Sequence, residues 1–142
     1  MNQYLLDTKV LSELRKGEHC DVNVRNWVDQ IDSNTLYLSV VAVGEIRRGI
    51  ERIRKRDSAH ANILERWLVG LKQNFGERLI NLDCQIAEEW GRLKAIRPLP
   101  VAHGLMAATA LAHRMTFVTP DLSGITDLGV PLLNPFNHSA AN

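Results

Sequence analysis

The chain alternates between short apolar runs and longer stretches whose apolar residues recur every three or four positions. Runs typical of buried strands occupy residues 4–6, 36–40, 79–82 and 115–119. Stretches with helical spacing occupy 10–15, 43–53, 64–75, 86–96 and 103–112. Strands that alternate with helices favour a central, mainly parallel sheet with helices on both faces. We therefore predict an α/β fold, with a further edge strand at 131–133.

Capping residues mark several of the predicted helix ends. Asp7-Thr8 and Asp83 precede helical stretches and offer side-chain oxygens to the first N–H groups. Gly76 follows the third helical stretch and predicts its end, because glycine tolerates the left-handed backbone that closes many helices. The second and third helical stretches are neighbours in sequence, and we expect them to pair antiparallel.

The length of 142 residues is typical of one domain with one core, and no repeat or low-complexity linker divides it. We place this domain at 1–136 and expect the small, polar segment 137–142 to be a disordered tail. A composition of 45% hydrophobic and 23% charged residues excludes fibrous and wholly disordered proteins. Apolar helical stripes contain all three tryptophans, and we expect packing rather than base stacking from Trp27, Trp67 and Trp90.

Charge and targeting signals narrow the function classes further. The 17 basic and 16 acidic residues leave a net charge of +1, so any binding of nucleic acid must be local. The two cysteines, Cys20 and Cys84, are too few for a disulfide scaffold and lack the close spacing of a zinc site. The sequence contains no recognisable leader and no apolar segment of membrane-spanning length. We therefore expect a cytoplasmic protein without a membrane partner.

Three acidic residues stand where an α/β sheet binds its ligands. Asp7 and Asp121 follow predicted strands, and Glu45 lies about one and a half turns into the helix after the second strand. The carboxyl ends of parallel strands share one edge, and open sheets bind ligands there. Each acid also has a structural explanation of its own: Asp7 as a helix cap, Glu45 as a charge near a helix start, and Asp121 as a turn residue.

Taken together, these acids predict a divalent metal site. Converging carboxylates repel one another unless a cation compensates them, and oxygen ligands suit Mg²⁺ or Mn²⁺. Such an ion can activate water for phosphodiester cleavage. The residues alone therefore predict a candidate catalytic metal site for hydrolysis at Asp7, Glu45 and Asp121, and the structural explanation of each acid stays open.

Hydroxyl and basic side chains near these acids are candidates for supporting roles. The hydroxyls that could orient carboxylates or water are those of Thr8, Ser39 and Thr119, although capping and strand-end hydrogen bonds explain them equally well. Six of the 17 basic residues fall within 47–56. Such a stripe could attract RNA phosphates or an acidic partner segment, or it could be a solvated helix face. The candidate binding residues are Lys9, Arg47, Arg48 and Arg52.

Several segments of the chain carry a family resemblance. They are YLLDTKVLSEL at 4–14, LS and VGEIRRGI within 38–50, LMAATA at 105–110, FVT at 117–119 and GVPLLNPF at 129–136. In this order, and over nearly the whole chain, they resemble the PIN-domain family, especially VapC and FitB-type toxins of toxin–antitoxin pairs. The resemblance implies a PIN-like α/β fold and a Mg²⁺- or Mn²⁺-dependent endoribonuclease. It also implies a homodimer held inactive by a cognate antitoxin, with operator DNA contacted only through that antitoxin.

One position departs from the pattern that the resemblance implies. Asp7, Glu45 and Asp121 match three of the family's acidic positions, but His103 stands where a further Asp is usual. We include His103 as the remaining metal ligand. An imidazole supplies no negative charge and suits Mg²⁺ poorly, so we expect it to weaken or abolish cleavage.

Two other functions stay open at the level of sequence. A PIN-fold module with a disabled site could still dimerise and capture an antitoxin, and His103 favours this alternative. A phosphatase that uses Asp7 as its nucleophile would fit an Asp-Thr pair at a strand end. The second Asp expected two residues later in such an enzyme is Lys9, which counts against it.

Overall fold

A parallel sheet of five strands organises residues 2–138, the part of the chain that the computed structural model describes. The strands are β1 (Tyr4–Leu6), β2 (Leu36–Ser39), β3 (Leu79–Ile80), β4 (Thr116–Val118) and β5 (Leu132–Leu133). The α-helices are α1 (Thr8–Leu14), α2 (Val22–Asp29), α3 (Val40–Arg54), α4 (Ser58–Phe75), α5 (Cys84–Ile96) and α6 (Val101–His113). The alternation of strands and helices confirms the predicted fold class.

Burial along the central strands indicates that both faces of the sheet are covered. Neighbouring residues of a strand point to opposite faces, and Leu5 and Leu6 are 0% and 1% exposed. Phe117 and Val118 on β4 are both fully buried as well. Strands covered on both sides consist of continuous apolar residues, which explains why these runs show no alternation with polar residues.

The strand order brings β1 and β4 side by side although they are distant in sequence. The order is β3-β2-β1-β4-β5, so the chain moves outward from β1 and later returns to its other side. Such a reversal is a topological switch point, where the loops after the two strands diverge and leave a crevice. Leu6 is in register with Val118. The residues that follow them, Asp7 and Thr119, therefore emerge next to each other.

Helix ends follow the capping signals. The Asp83 carboxylate accepts a hydrogen bond of 2.9 Å from the N–H of Ile86 and caps α5, as predicted. Gly76 ends α4 with a φ of +51°, a value that glycine adopts without strain. Helices α3 and α4 pack against each other and are joined by the short segment 55–57, as expected for an antiparallel pair.

The apolar pattern placed Trp27 on a helical stripe but gave no bounds for its helix, and it overestimated the length of β3. Helix α2 buries Val24 and Trp27, a set too small to produce a clear periodicity over its length. The Asp21 carboxylate nevertheless caps it by accepting hydrogen bonds from two N–H groups of the first turn. Strand β3 ends at Ile80 rather than at residue 82, and Leu82 is 45% exposed.

Trp27 is 3% exposed and packs edge-on against Tyr4, which confirms core packing for this tryptophan.

The described residues extend slightly beyond the domain boundary that we predicted at residue 136. Asn137 belongs to the 3₁₀ turn Pro135–Asn137, and the His138 ring lies 3.0 Å from the side-chain amide of Gln30. The tail predicted at 137–142 therefore begins with two placed residues, and its remainder, 139–142, lies outside the described residues, as does Met1. Among the helices of residues 2–138, none is long and apolar enough to cross a membrane.

Candidate active site

A cleft of about 400 Å³ opens at the carboxyl edge of the sheet, beside the switch point between β1 and β4. All four candidate metal ligands line it: Asp7, Glu45, His103 and Asp121. They come from the end of β1, from α3, from α6 and from the loop after β4. The fold thus brings together residues that are separated by up to 114 positions in the sequence, counted from 7 to 121.

Asp7 is a buried carboxylate that belongs to the cleft rather than to a helix cap. Its side chain makes no capping hydrogen bond to α1, although it stands at the N-cap position. Its Oδ2 instead accepts a hydrogen bond of 2.6 Å from the hydroxyl of Thr119, and the residue is 4% exposed. The structural explanation of Asp7 as a cap is therefore wrong.

Thr119 connects two of the candidate acids. While its Oγ1 donates to Asp7, the same oxygen accepts a hydrogen bond of 3.0 Å from the backbone N–H of Asp121. The Asp121 carboxylate in turn accepts a hydrogen bond of 3.2 Å from the N–H of Ser123 and lies 3.8 Å from Nζ of Lys9. Asp121 is thus both a turn residue and a cleft residue, and Thr119 forms hydrogen bonds with both acidic residues.

Glu45 lies in the second turn of α3 and is held from across the cleft. The hydroxyl of Thr8 donates a hydrogen bond of 2.6 Å to its Oε1. Thr8 is therefore in direct contact with Glu45. Ser39 differs from Thr8, because its Oγ accepts a hydrogen bond of 3.0 Å from the N–H of Val41 and caps α3. The contacts of Ser39 are thus those of a helix cap and not of a cleft residue.

His103 lies in the first turn of α6 and is 9% exposed. Its ring packs against Phe117, with ring centroids 5.3 Å apart. Among the described residues, no group forms a hydrogen bond with its buried Nε2. A buried polar atom without a partner costs free energy, about 1–3 kcal/mol in mutational data. His103 is thus an unsatisfied group at the position where the resemblance implies an acid.

The donors in the cleft fit a divalent cation by type, although their present positions keep them apart. Three carboxylates and an imidazole with an unpartnered nitrogen are suitable ligands for such an ion. Within residues 2–138, however, no three His, Cys, Asp or Glu side chains lie close enough to hold one ion together. The hydroxyl of Thr8 holds Glu45, and Lys9 lies beside Asp121. One ion could therefore be held by three of these groups only if their side chains move.

The basic residues of α3 divide between two faces of the helix. Arg48 and Arg52 line the cleft, as does Lys9 from α1. Arg47 points instead to α4, where it donates a hydrogen bond of 2.7 Å to Glu65, and it donates another of 3.0 Å to Glu51. These hydrogen bonds raise the pKa of Arg47 above its ordinary value. Arg47, also a candidate for binding RNA or an antitoxin, does not line the cleft, and its guanidinium is engaged in an ion-pair network with Glu51 and Glu65.

Some cleft residues were not singled out from the sequence. They are Gly49, Pro100, Ala102 and Met106. Gly49 could have been found from helical spacing, because positions 45, 48, 49 and 52 lie on one face of a helix that contains Glu45. The other three are small or apolar wall residues, and no chemical signal in the sequence marks them.

Comparisons with known proteins agree with this fold. A family model for the PIN domain matches residues 4–123. VapC ribonuclease Y4jK of Sinorhizobium fredii is 32% identical over 139 residues, which cover 93% of this chain and 96% of that protein. Toxin FitB of Neisseria gonorrhoeae is 28% identical over 141 residues, which cover 94% of this chain and 98% of FitB.

A solved structure supports the same relationship at the level of the backbone. The structure of FitAB bound to the IR36 DNA fragment matches with a TM-score of 0.84 and 26% identity, and covers 96% of this chain and 98% of the matched chain. The match of the family model extends over 120 of the 142 residues, counted from 4 to 123. The order of strands, the cleft and these comparisons lead to one conclusion: this chain belongs to the PIN-domain family and resembles its VapC and FitB members.

Proposed function

We propose that this chain is a metal-dependent endoribonuclease toxin that a cognate antitoxin neutralises. The observation that carries the proposal is the convergence of Asp7, Glu45 and Asp121 on one cleft at the switch point of the sheet. Relatives named as a VapC ribonuclease and as Toxin FitB support both the reaction class and the biological role.

Different residues of the cleft would bind the RNA phosphates and the metal ion during phosphodiester hydrolysis. Lys9, Arg48 and Arg52 would bind RNA phosphates, because their cationic side chains line the same cleft as the acids. Asp7, Glu45 and Asp121 would hold Mg²⁺ or Mn²⁺, together with His103. When bound, such an ion lowers the pKa of water and stabilises charge on the phosphate.

Two hydroxyl groups would orient the acids for this chemistry. Thr119 holds Oδ2 of Asp7, so Oδ1 would be the oxygen available to an ion. Thr8 donates to Oε1 of Glu45 and would have to release it, at least in part, for that oxygen to bind an ion. We propose Thr8 and Thr119 as positioning residues. We keep Ser39 as a supporting residue only in the indirect sense that it caps the helix that carries Glu45.

His103 lowers the activity that we expect from this site. It replaces a negative charge by a neutral ring, while Lys9, Arg48 and Arg52 already balance the charges of the three acids. Weaker electrostatic attraction reduces the affinity for a divalent ion, and for Mg²⁺ in particular, since Mg²⁺ prefers oxygen ligands. We therefore propose that cleavage by this chain is slower than by a variant with an acid at position 103.

The proposed partners are an antitoxin and a second copy of this chain. One solved structure that resembles this chain is that of FitAB bound to a DNA fragment. By analogy, an antitoxin would cover the cleft and would itself provide the contact with operator DNA. Homodimerisation rests on the family resemblance alone and is proposed on that basis.

A second candidate function is a disabled PIN module that dimerises and binds an antitoxin without cutting RNA. Two observations favour it: the unpartnered Nε2 of His103, and the separation of the candidate ligands among the described residues. In this case the fold and the surface for the antitoxin would be retained, while hydrolysis would be lost.

A cleavage assay distinguishes the two functions. A mixed pool of structured RNA is incubated with this protein or with its His103→Asp variant, in Mg²⁺, Mn²⁺ or EDTA. Each protein is also prepared with Asp7→Ala, so that contaminating nuclease is recognised. Circular dichroism of every variant confirms that it is folded.

The outcomes separate clearly. Metal-dependent cleavage that requires Asp7 supports the nuclease, and faster cleavage by His103→Asp supports the proposed effect of the imidazole. Cleavage by His103→Asp alone supports the disabled module. If neither protein cuts RNA while both bind a purified antitoxin, the nuclease proposal is wrong for this chain.

A further inference from the structure

A second groove continues from the cleft along α3 and α4. It has a volume of about 240 Å³ and shares Thr8, Glu45 and Gly49 with the candidate active site. Its other walls are largely apolar side chains of α3 and α4, and Arg15, Ser12 and Trp67 also line it. We call it the Trp67 groove. The three shared residues make the two cavities neighbours with a common wall.

The chemistry at Trp67 differs from that of a core tryptophan. Trp67 is only partly buried, whereas Trp27 is 3% exposed. The guanidinium carbon of Arg15 lies 5.8 Å from the centroid of the Trp67 ring. An aromatic ring and a guanidinium group are the two kinds of flat surface on which proteins stack unpaired bases. Packing therefore explains the buried part of the Trp67 side chain and not its exposed part.

We propose that the Trp67 groove binds one unpaired base of the RNA strand whose phosphate occupies the cleft. This inference rests on the proposed nuclease function. A strand that places a phosphate beside Asp7 and Glu45 would pass Thr8 and Gly49 to place the adjoining base against Trp67 and Arg15. The groove would then determine which nucleotide adjoins the cleaved bond.

The shared wall favours RNA as the occupant. A ligand that fills both cavities at once needs an anionic part for the cleft, with Arg48 and Arg52, and a flat, largely apolar part for the groove. A nucleotide combines both within one repeating unit. Arg15 lines the groove and adds a positive charge beside the Trp67 ring, where it could stack on the base or contact the next phosphate.

Gly49 offers a way to close the passage without removing a side chain. A Cβ atom at Gly49 would meet no other heavy atom within 4 Å, and its backbone is helical. A Gly49→Leu variant would therefore extend into the space between the two cavities. Gly44 on the same helix also has open space at its Cβ but lines neither cavity, so Gly44→Leu is the matched control.

The test measures binding of single-stranded RNA by fluorescence anisotropy. The probes are oligonucleotides of about eight nucleotides, either of uridine, of adenosine, or abasic with the same backbone. All proteins carry Asp7→Ala to keep the RNA intact, and are compared without further change or with Trp67→Leu, Gly49→Leu or Gly44→Leu. Thermal unfolding of each protein shows that it is folded.

We expect at least one base-bearing oligonucleotide to bind about 5- to 140-fold more tightly than the abasic one, the range typical of one stacked base. Trp67→Leu should remove this difference and leave abasic binding unchanged, because Trp67 lines the groove and not the cleft. Gly49→Leu should also remove the difference, while its effect on abasic binding does not bear on the inference because Gly49 lines the cleft as well. Gly44→Leu should preserve the difference. Equal binding of base-bearing and abasic probes would overturn the inference, as would a Trp67→Leu variant that loses affinity equally for base-bearing and abasic probes.

Two further results show whether the base site can fail while the nuclease function holds, and whether a protein rather than RNA occupies the groove. Asp7-dependent cleavage of the RNA pool without any base-dependent binding leaves the nuclease proposal intact and refutes the base site. If Trp67→Leu and Gly49→Leu weaken binding of a purified antitoxin but leave base discrimination unchanged, the groove serves the protein partner and the inference is wrong.

Discussion

The hydroxyl of Thr119 donates a hydrogen bond of 2.6 Å to Oδ2 of Asp7, across 112 positions of sequence. Thr119 is fully buried and Asp7 is 4% exposed, so water does not readily replace this contact. Because the same hydroxyl accepts from the N–H of Asp121, it ties together the segments that follow β1 and β4. The two ends of the switch point are therefore held by one side chain.

Removal of this hydroxyl should weaken both stability and activity. Thr119→Val keeps the shape of the side chain but leaves a buried carboxylate without its donor, and we expect a loss of about 1–3 kcal/mol in the free energy of unfolding. Urea denaturation measures this loss, and RNA cleavage should fall in parallel because Asp7 is no longer held. Thr119→Ser, which retains a donor, is the control and should keep most of both; a Thr119→Val protein as active as the original would contradict the role.

The position of these acids could be predicted from sequence because a simple rule governs it. Asp7 and Asp121 follow apolar runs, and the carboxyl ends of parallel strands share one edge. The partners of the acids could not be predicted in the same way. Local sequence suggests that Asp7 caps a helix. Its side chain instead contacts Thr119, and this contact depends on the register of β1 with β4.

Substitution of His103 by Asp should change how the protein responds to metal. Without metal, the new carboxylate would add a negative charge near Asp7 and Glu45 in a buried position, so we expect the variant to be less stable than the original protein. With Mg²⁺, bound ion should reverse this order, since a ligand at 100 times its dissociation constant stabilises by about 2.7 kcal/mol.

Thermal unfolding with and without Mg²⁺ measures this response independently of catalysis. The increase in melting temperature on addition of Mg²⁺ should be larger for His103→Asp than for the original chain. The control is His103→Asn, because Asn is similar in size to Asp but carries no charge. Its melting temperature should not rise more on addition of Mg²⁺ than that of the original chain. Equal shifts for all three proteins would mean that position 103 does not contribute to metal binding.

The basic residues of α3 should differ in their contribution to RNA binding. Arg48 and Arg52 line the cleft, whereas Arg47 is paired with Glu51 and Glu65. We expect Arg48→Gln and Arg52→Gln each to weaken binding of RNA and to reduce its salt dependence by about 0.7 in the slope of log K against log salt. Arg47→Gln should leave the slope unchanged. Filter binding at several salt concentrations tests this, and an equal change for Arg47→Gln would refute the division into two faces.

The assignment of these arginines shows where the sequence alone was insufficient. All of them belong to one basic stretch, and its composition does not distinguish which side chains face the cleft. Glu45, Arg48 and Arg52 share a helix face by their spacing, but the partner of Arg47 is Glu65 on another helix. Pairing between helices depends on how α3 packs on α4, which local sequence does not specify.

The pairing of α3 with α4 should make stability depend on pH in the acidic range. Arg47 and Arg54 donate hydrogen bonds of 2.7 Å and 2.6 Å to Oε1 of Glu65. The hydrogen bond from Arg47 is the main cause that lowers the pKa of Glu65 below its ordinary value of 4.5. Since the folded state favours the ionised form, this contribution to stability is present above the unfolded pKa and is lost as the pH falls through the folded one.

A comparison with Glu65→Gln tests this dependence. The original protein should exceed the variant in unfolding free energy at about pH 7, and the difference should shrink as the pH falls towards about 3. The side chains involved are 31–41% exposed, so the difference should be modest and should decrease with added salt. Glu88→Gln on α5 is a control, because Glu88 takes part in none of the ion pairs among residues 2–138. A Glu65→Gln difference that stays constant with pH would show that the carboxylate charge does not stabilise the helix pair.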